Sequence, residues 1–248
     1  LFLRKPLPSK PNADSAKLAV ITGGSRGIGL ALARTFAKAG HKVIITGRNA
    51  ATLRSASSSL QQDGLEVETQ VCDVTEASSI DTAFQQIKQR HSTIDVLINN
   101  AGVAHELKPA DQLSLETWKQ VIDTNLTGTF LVTRAALQLM HEGASIVNNL
   151  SVAAVQPFAG MSAYNASKFG AMGFTQALRE DLRKRQIRVI GVLPGATDTD
   201  IWQQFWPDAP RAKMVSPATV AEAVLHAVSA PANASIDEIR VLPASGVL

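Results

Sequence analysis

Leu18-Ala19-Val20-Ile21-Thr22-Gly23-Gly24-Ser25-Arg26-Gly27-Ile28-Gly29 is the stretch on which the fold turns. Its first five residues read as a buried strand, and the glycine-rich loop then opens into a helical pattern over Ile28–Ala39. Glycines between a strand and a helix permit a tight turn. They also let the backbone approach a pyrophosphate, whose charge meets the helix N-terminus. A glycine-rich loop alone is a modest signal, but its strand–loop–helix placement makes it a strong one. The spacing G-x-x-x-G-x-G marks one variant of a dinucleotide site.

Outward from this unit, short β-branched runs alternate with longer helical patterns. Strands are predicted at Leu18–Thr22, Val43–Thr46, Val67–Val71, Val96–Asn99, Ser145–Leu150, Val189–Leu193 and Ile236–Leu242. Helices are predicted at Ile28–Ala39, Ala50–Gln62, Ser78–Arg90, Leu115–Met140, Met161–Arg185 and Pro217–Ser229. Alternation of this kind implies an α/β fold with about seven parallel strands and crossover helices on both sheet faces. Right-handed crossovers make the sheet doubly wound, with its ligand crevice at the carboxyl ends of the strands. No repeat or linker breaks the rhythm, so residues 17–248 read as one catalytic domain. Residues 1–16, with three prolines, read as a flexible N-terminal arm.

Composition narrows the class. Hydrophobic residues make up 45% of the 248 and charged residues 18%, which suits a globular protein with a sizeable core. The net charge of +3 is spread out and forms no basic stripe of the kind nucleic-acid binding needs. No apolar run approaches the roughly 20 residues of a membrane span. The single cysteine, Cys72, permits no internal disulfide and no cysteine-built metal site, and the histidines form no metal-spaced set. A reducing, cytoplasmic location is expected, with organellar import left open by the absent initiator methionine.

The chemistry concentrates in Tyr164-Asn165-Ala166-Ser167-Lys168. Residues at i and i+4 share a helix face, so phenol and ammonium project into the same space. A nearby cation favours phenolate and is expected to lower the tyrosine pKa from about 10. Ser151, just beyond an apolar strand, could polarise the same substrate oxygen. This is a set suited to a carbonyl.

At the tip of the second strand stand Gly47, Arg48 and Asn49, and no acidic residue occurs between Gly40 and Gln62. A site for NAD usually places a carboxylate there for the ribose 2′-hydroxyl. Arg48 and Arg26 instead suit a 2′-phosphate, for which guanidinium offers planar paired donors. NADPH is therefore expected over NADH. Asn125 interrupts an apolar helical run, where a polar amide is costly without partners, and its bland reading is a satisfied packing asparagine. His105 reads as a solvated surface residue. Ile201, Trp202, Phe205 and Trp206 form either an apolar lid or a short amphipathic helix packed on the body.

These signatures together resemble the short-chain dehydrogenase/reductase family, from about Lys17 to the end of the Pro217 helix. The resemblance rests on Thr22–Gly29, Asp73-Val74, Asn99-Asn100-Ala101-Gly102, Asn125, Ser151, Tyr164/Lys168 and Pro194-Gly195, in order. It implies a Rossmann fold and an NADP(H)-dependent oxidoreductase acting on a small-molecule carbonyl or secondary alcohol. By this resemblance Tyr164 is the general acid/base, Ser151 polarises the carbonyl and Lys168 grips the nicotinamide ribose. Asn125 becomes a proton-relay residue, which replaces its bland reading. Gly23, Ser25, Arg26, Gly27, Ile28 and Gly29 would cradle phosphate, with Arg48 beside them. Asp73 and Val74 would hold adenine. Asn99, Ala101 and Gly102 would line the cofactor, and Pro194, Gly195, Thr197 and Thr199 its nicotinamide. No metal is implied.

Three departures from the family pattern stand out. Thr197 replaces a common aliphatic residue, the serine motif lacks its adjacent second serine, and the ending Arg240–Gly246 lacks the Asp-Gly-Gly of many ketoacyl reductases. A 3-oxoacyl-acyl-carrier-protein reductase is one alternative, with Arg179, Arg183, Lys184 and Arg185 available to an acidic carrier. Another is a non-catalytic NADP-binding regulatory protein of the same fold. A related isomerase or dehydratase would need a separate substrate domain, for which there is no room. Relatives commonly pair through their two long helices, which implies a homodimer or homotetramer.

Overall fold

A computed structural model describes residues 16–246; the arm expected over residues 1–16 lies, but for its last residue, outside them. Seven parallel strands form one sheet: β1 (Leu18–Thr22), β2 (Lys42–Gly47), β3 (Glu68–Val71), β4 (Ile94–Asn99), β5 (Met140–Asn149), β6 (Arg188–Pro194) and β7 (Glu238–Val241). Their order is β3-β2-β1-β4-β5-β6-β7. The order reverses between β1 and β4, the switch point at which a doubly wound sheet opens its crevice.

The helices are α1 (Gly27–Lys38), α2 (Ala50–Gln62), α3 (Ala77–Arg90), α4 (Leu115–Ile122), α5 (Gly128–Ala136), α6 (Ser162–Leu182) and α7 (Pro217–Val228). Local chemistry starts several of them. The Asn49 side chain accepts from the N–H groups of Ala51 and Thr52 at the head of α2, and Ser216 does the same for Thr219 at the head of α7, with Pro217 as the first helical residue.

Strand alternation divides the core. Leu18 and Val20 of β1 pack with Phe84 of α3, Val132 of α5 and Leu178 of α6, while Ala19 and Ile21 pack with Phe36 of α1, Leu53 of α2 and Val224 of α7. Both sheet faces are thus covered, as parallel strands require.

One predicted element is corrected. The helix expected over Leu115–Met140 is α4, a π-helical stretch at Asp123–Thr127, and α5, which ends at Ala136. Met140 already belongs to β5, paired with Ile94 of β4. Leu137, Leu139 and Met140 continue the apolar pattern across the turn, and no glycine or proline stands there to mark the stop. Periodicity therefore overran the boundary.

A line of buried side chains ties the centre of the sheet to both neighbouring helices. The Asn99 amide donates to Thr133 Oγ1 (2.9 Å) and Asn148 Oδ1 (2.9 Å), and the Asn148 amide donates to Thr175 Oγ1 (2.9 Å). All four side chains are buried, and these bonds fix α5 and α6 against β4 and β5.

Candidate active site

The carboxyl ends of β1 to β6 border a cleft of about 1160 Å³, roomy against the roughly 300–1,000 Å³ of ordinary ligand sites. Strand order divides its lining. The loops after β1, β2 and β3 make one half, and those after β4, β5 and β6 make the other.

In the first half, Gly23 adopts φ +63°, which only glycine takes without strain. A Cβ at Gly29 would collide with the Gly23 carbonyl and the Asn100 amide, so the loop can fold this tightly only around glycine. Arg26, at the N-cap of α1, offers no side-chain cap. The first-turn N–H groups of α1 are thus left without a capping side chain, an arrangement that suits phosphate. Arg26 and Arg48 are exposed, line the cleft and pair with no carboxylate among the described residues. Asp73 lines it too, its carboxylate held by the Thr75 N–H (3.0 Å) and hydroxyl (2.8 Å). A glycine cradle, an uncapped helix and two unpaired guanidinium groups together fit a phosphorylated dinucleotide.

In the second half, Ser151, Tyr164 and Lys168 all line the cleft. Ser151 sits beyond β5, where its hydroxyl accepts from the Ala153 N–H (3.1 Å). Tyr164 and Lys168 project from the first two turns of α6, and Lys168 Nζ lies 5.6 Å from the centre of the Tyr164 ring. The ammonium donates to the Asn149 carbonyl (3.0 Å) and is 6% exposed. Burial lowers its pKa to about 8.

Here the expectation of an acidified phenol is corrected. Tyr164 keeps partial access to the cleft, yet the protein packed around it raises its pKa, and the Ser151 hydroxyl beside it offsets this only in part. Desolvation penalises the charged form and outweighs the serine's hydrogen bond. The phenol is held protonated.

Of the expected cofactor residues, Gly23, Ser25, Arg26, Gly27, Ile28, Gly29, Arg48, Asp73 and Val74 line the first half. Ala101, Gly102, Pro194, Gly195, Thr197 and Thr199 line the rest. Asn99 does not; it is buried in the line described above, facing α5. Its neighbour Asn100, on the opposite side of the pleat, lines the cleft instead. Strand alternation alone could have separated the two. Asn100 is the knot of the switch point. Its amide donates to the carbonyls of Thr22 (2.9 Å) and Gly23 (3.1 Å), its own N–H donates to Thr22 Oγ1 (2.9 Å), and its side-chain oxygen accepts from Asn149 (2.8 Å).

Asn125 also stands apart from the cleft lining. Its side chain accepts from the Val103 N–H (2.8 Å) and donates to the Val103 carbonyl (2.9 Å) and Ser167 Oγ (3.0 Å). It clamps the loop after β4 to α6. The π-helical stretch carries it, and the clamp matches the satisfied-asparagine reading of its side chain. His105 is corrected: it is 5% exposed, with Nδ1 at 2.7 Å from the Glu106 carbonyl, because the loop after β4 folds its ring inward.

The aromatic segment forms a short 3-10 turn at Asp200–Gln204, and Ile201, Trp202, Phe205 and Trp206 all line the cleft. The basic run lies elsewhere. α6 extends 21 residues from the cleft, about 30 Å at helical rise, before reaching Arg183. Arg179 and Arg185 are tied to backbone carbonyls of Val189, Asp237, Leu137 and Met140, and Arg183 pairs with Glu180. Among the described residues no helix is long and apolar enough to cross a membrane, and no three metal-ligating side chains gather.

Residues 17–210 match the short chain dehydrogenase family. An uncharacterized oxidoreductase of Staphylococcus aureus (strain MRSA252) is 33% identical over 229 residues, 92% of this chain and 97% of the relative. An actinorhodin polyketide ketoreductase solved with NADPH superposes with a TM-score of 0.84 at 30% identity, over 94% of this chain and 98% of its own. A metagenomic short-chain oxidoreductase in complex with NADP gives 0.80 at 30% identity, over 94% and 99%.

The buried ammonium has a measurable consequence. Folded, Lys168 gives up its proton near pH 8; unfolded, it keeps it to about 10.4. Between those values the unfolded chain binds more protons, so the cost of burying the charge is full below pH 8 and fades as pH rises. Tyr164 enters only above about pH 10, where the unfolded phenol ionises first. Lys168→Met is expected to gain stability relative to the parent at pH 7, and urea denaturation should show that gap narrowing by about 2–3 kcal/mol by pH 10.5. A gap independent of pH contradicts the burial assigned to Lys168.

Proposed function

This chain is an oxidoreductase of the short-chain dehydrogenase/reductase family, and we propose that it moves hydride between NADP(H) and a carbonyl or secondary alcohol, with Tyr164 as its general acid/base. The observation that carries the reading is the meeting of Ser151, Tyr164 and Lys168 in one cleft with the glycine loop and its two arginines. NADP over NAD is supported by Arg26 and Arg48 in the half that fits a dinucleotide, with no acidic residue between Gly40 and Gln62. Two of the similar structures hold NADPH or NADP, which agrees.

When bound, the nicotinamide supplies the hydride, and the chain does the rest. In reduction, a carbonyl oxygen placed beside Tyr164 receives the phenolic proton as negative charge develops on it. A phenol kept protonated by its surroundings is in the correct state for this role near neutral pH. The Ser151 hydroxyl donates to the same oxygen and stabilises the developing charge. Lys168, pinned on the Asn149 carbonyl, keeps a donor within the cleft and, with a pKa of about 8, can pass a proton toward Tyr164 through intervening hydroxyls or water. Asn125 serves as a positioning residue, holding the loop after β4 against the turn of α6 that bears the phenol.

Tyr164→Phe is expected to bind NADPH as the parent does, by fluorescence titration, while turnover falls about 10²–10⁴-fold. Near-parental turnover removes Tyr164 from the chemistry. Arg48→Asp should lower the NADPH-over-NADH affinity ratio about 10–100-fold. A parent that binds both cofactors equally rejects the assignment to NADP.

A further inference from the structure

Resting on the oxidoreductase reading, we infer that the substrate is a neutral, largely apolar ketone or aldehyde with a ring-sized body, and that carbonyl compounds bearing a carboxylate or phosphate on that body are rejected. The charged lining of the cleft is distributed unevenly. Arg26, Arg48 and Asp73 follow β1, β2 and β3 and belong to the half that fits a dinucleotide. The half built after β4, β5 and β6 offers only Lys168 and Asp200. Lys168 is buried and committed to the Asn149 carbonyl. Asp200 is itself an anion. Of the cations flanking this half, Lys108 pairs with Glu106 at 2.8 Å and Arg211 with Asp198. A substrate anion would leave water to meet a carboxylate, and the lining of this half offers it no guanidinium and no ammonium but the committed Lys168.

What this half does offer is apolar surface. Leu107, Phe158 and Met161 come from the loops after β4 and β5, and Trp202, Phe205 and Trp206 from the segment after β6. The aromatic group is built rather than loose. The Trp202 indole N–H donates to the Thr197 carbonyl (2.8 Å), Phe205 packs tilted on Trp202 at 4.7 Å between ring centres, and Trp206 meets Trp202 edge-on at 6.1 Å. Gln204 accepts from the Ala104 N–H (3.3 Å), joining this segment to the loop after β4. Leu107 is 51% and Trp206 41% exposed at this end of the cleft, apolar area that a flat hydrophobic body would cover.

Two matched ketones test the inference: 4-phenyl-2-butanone and 4-(3-oxobutyl)benzoate, which share a carbonyl and differ by one carboxylate. With NADPH, kcat/KM should favour the neutral ketone by about 100-fold or more. The neutral ketone alone should quench tryptophan emission, since Trp202 and Trp206 line the cleft. Trp206→Ala should raise its KM about tenfold with a smaller change in kcat, and Asp200→Asn should narrow the discrimination against the carboxylate. Equal or better use or binding of the carboxylated ketone overturns the substrate class and leaves hydride transfer standing. Quenching by the neutral ketone without NADPH oxidation upholds the class and rejects the oxidoreductase reading. Failure of both ketones to bind overturns the inference.

Discussion

A buried ammonium beside a half-buried phenol imposes the demand that organises this molecule. Lys168 has one backbone carbonyl as its protein partner and almost no contact with bulk water, an arrangement that opposes folding below pH 8. It persists because the turn of α6 that bears it is bonded on several sides. Asn165 donates to the carbonyls of Ala153 and Gln156 and accepts from the Phe158 N–H. Ser167 donates to the Tyr164 carbonyl and accepts from Asn125. Farther along, Thr175 is held by Asn148. Apart from the Ser167–Tyr164 bond within α6, these bonds tie the helix to the loop after β5, the π-helical stretch and β5, so the reactive pair cannot relax into solvent without breaking several of them. Sites of this kind trade stability for function.

The second organising feature is the amide of Asn100. It stands where the strand order reverses and is bonded to the end of β1, to the first glycine of the loop and to Asn149 at the end of β5. Asn149 in turn supplies the carbonyl that receives Lys168. The half of the cleft that fits phosphate and the half that carries the acid/base are therefore joined by one short chain of hydrogen bonds. A dinucleotide laid across the switch point would be gripped by both halves at once, a geometry that favours positioning over flexibility.

Most of the sheet was legible in the sequence because its signals are local. β1 and α2 coincide with their predicted spans, since a buried apolar run and an Asn49 cap each announce themselves within a few residues. Tyr164, Lys168 and Ser151 were legible for a similar reason, the i, i+4 spacing fixing two of the three on one helix face. What the sequence hid depends on packing through space. The break of α4 and α5 around the π-helical stretch has no local marker, and the inward ring of His105 depends on how its loop folds. The sign of the Tyr164 shift depends on how much protein surrounds the phenol, which spacing cannot supply. Likewise, the ties of Arg179 and Arg185 to backbone carbonyls depend on packing that spacing cannot show.

Tyr164 is the sole tyrosine of the chain, so its ionisation can be followed by phenolate absorbance with no competing signal. In the cofactor-free protein the account predicts a midpoint above the ordinary value of about 10, moving higher still in Ser151→Ala, because the serine hydroxyl favours the ionised form. A midpoint below 10 in the folded parent would contradict the account, because burial would then not be what governs the phenol on which the proposed chemistry stands.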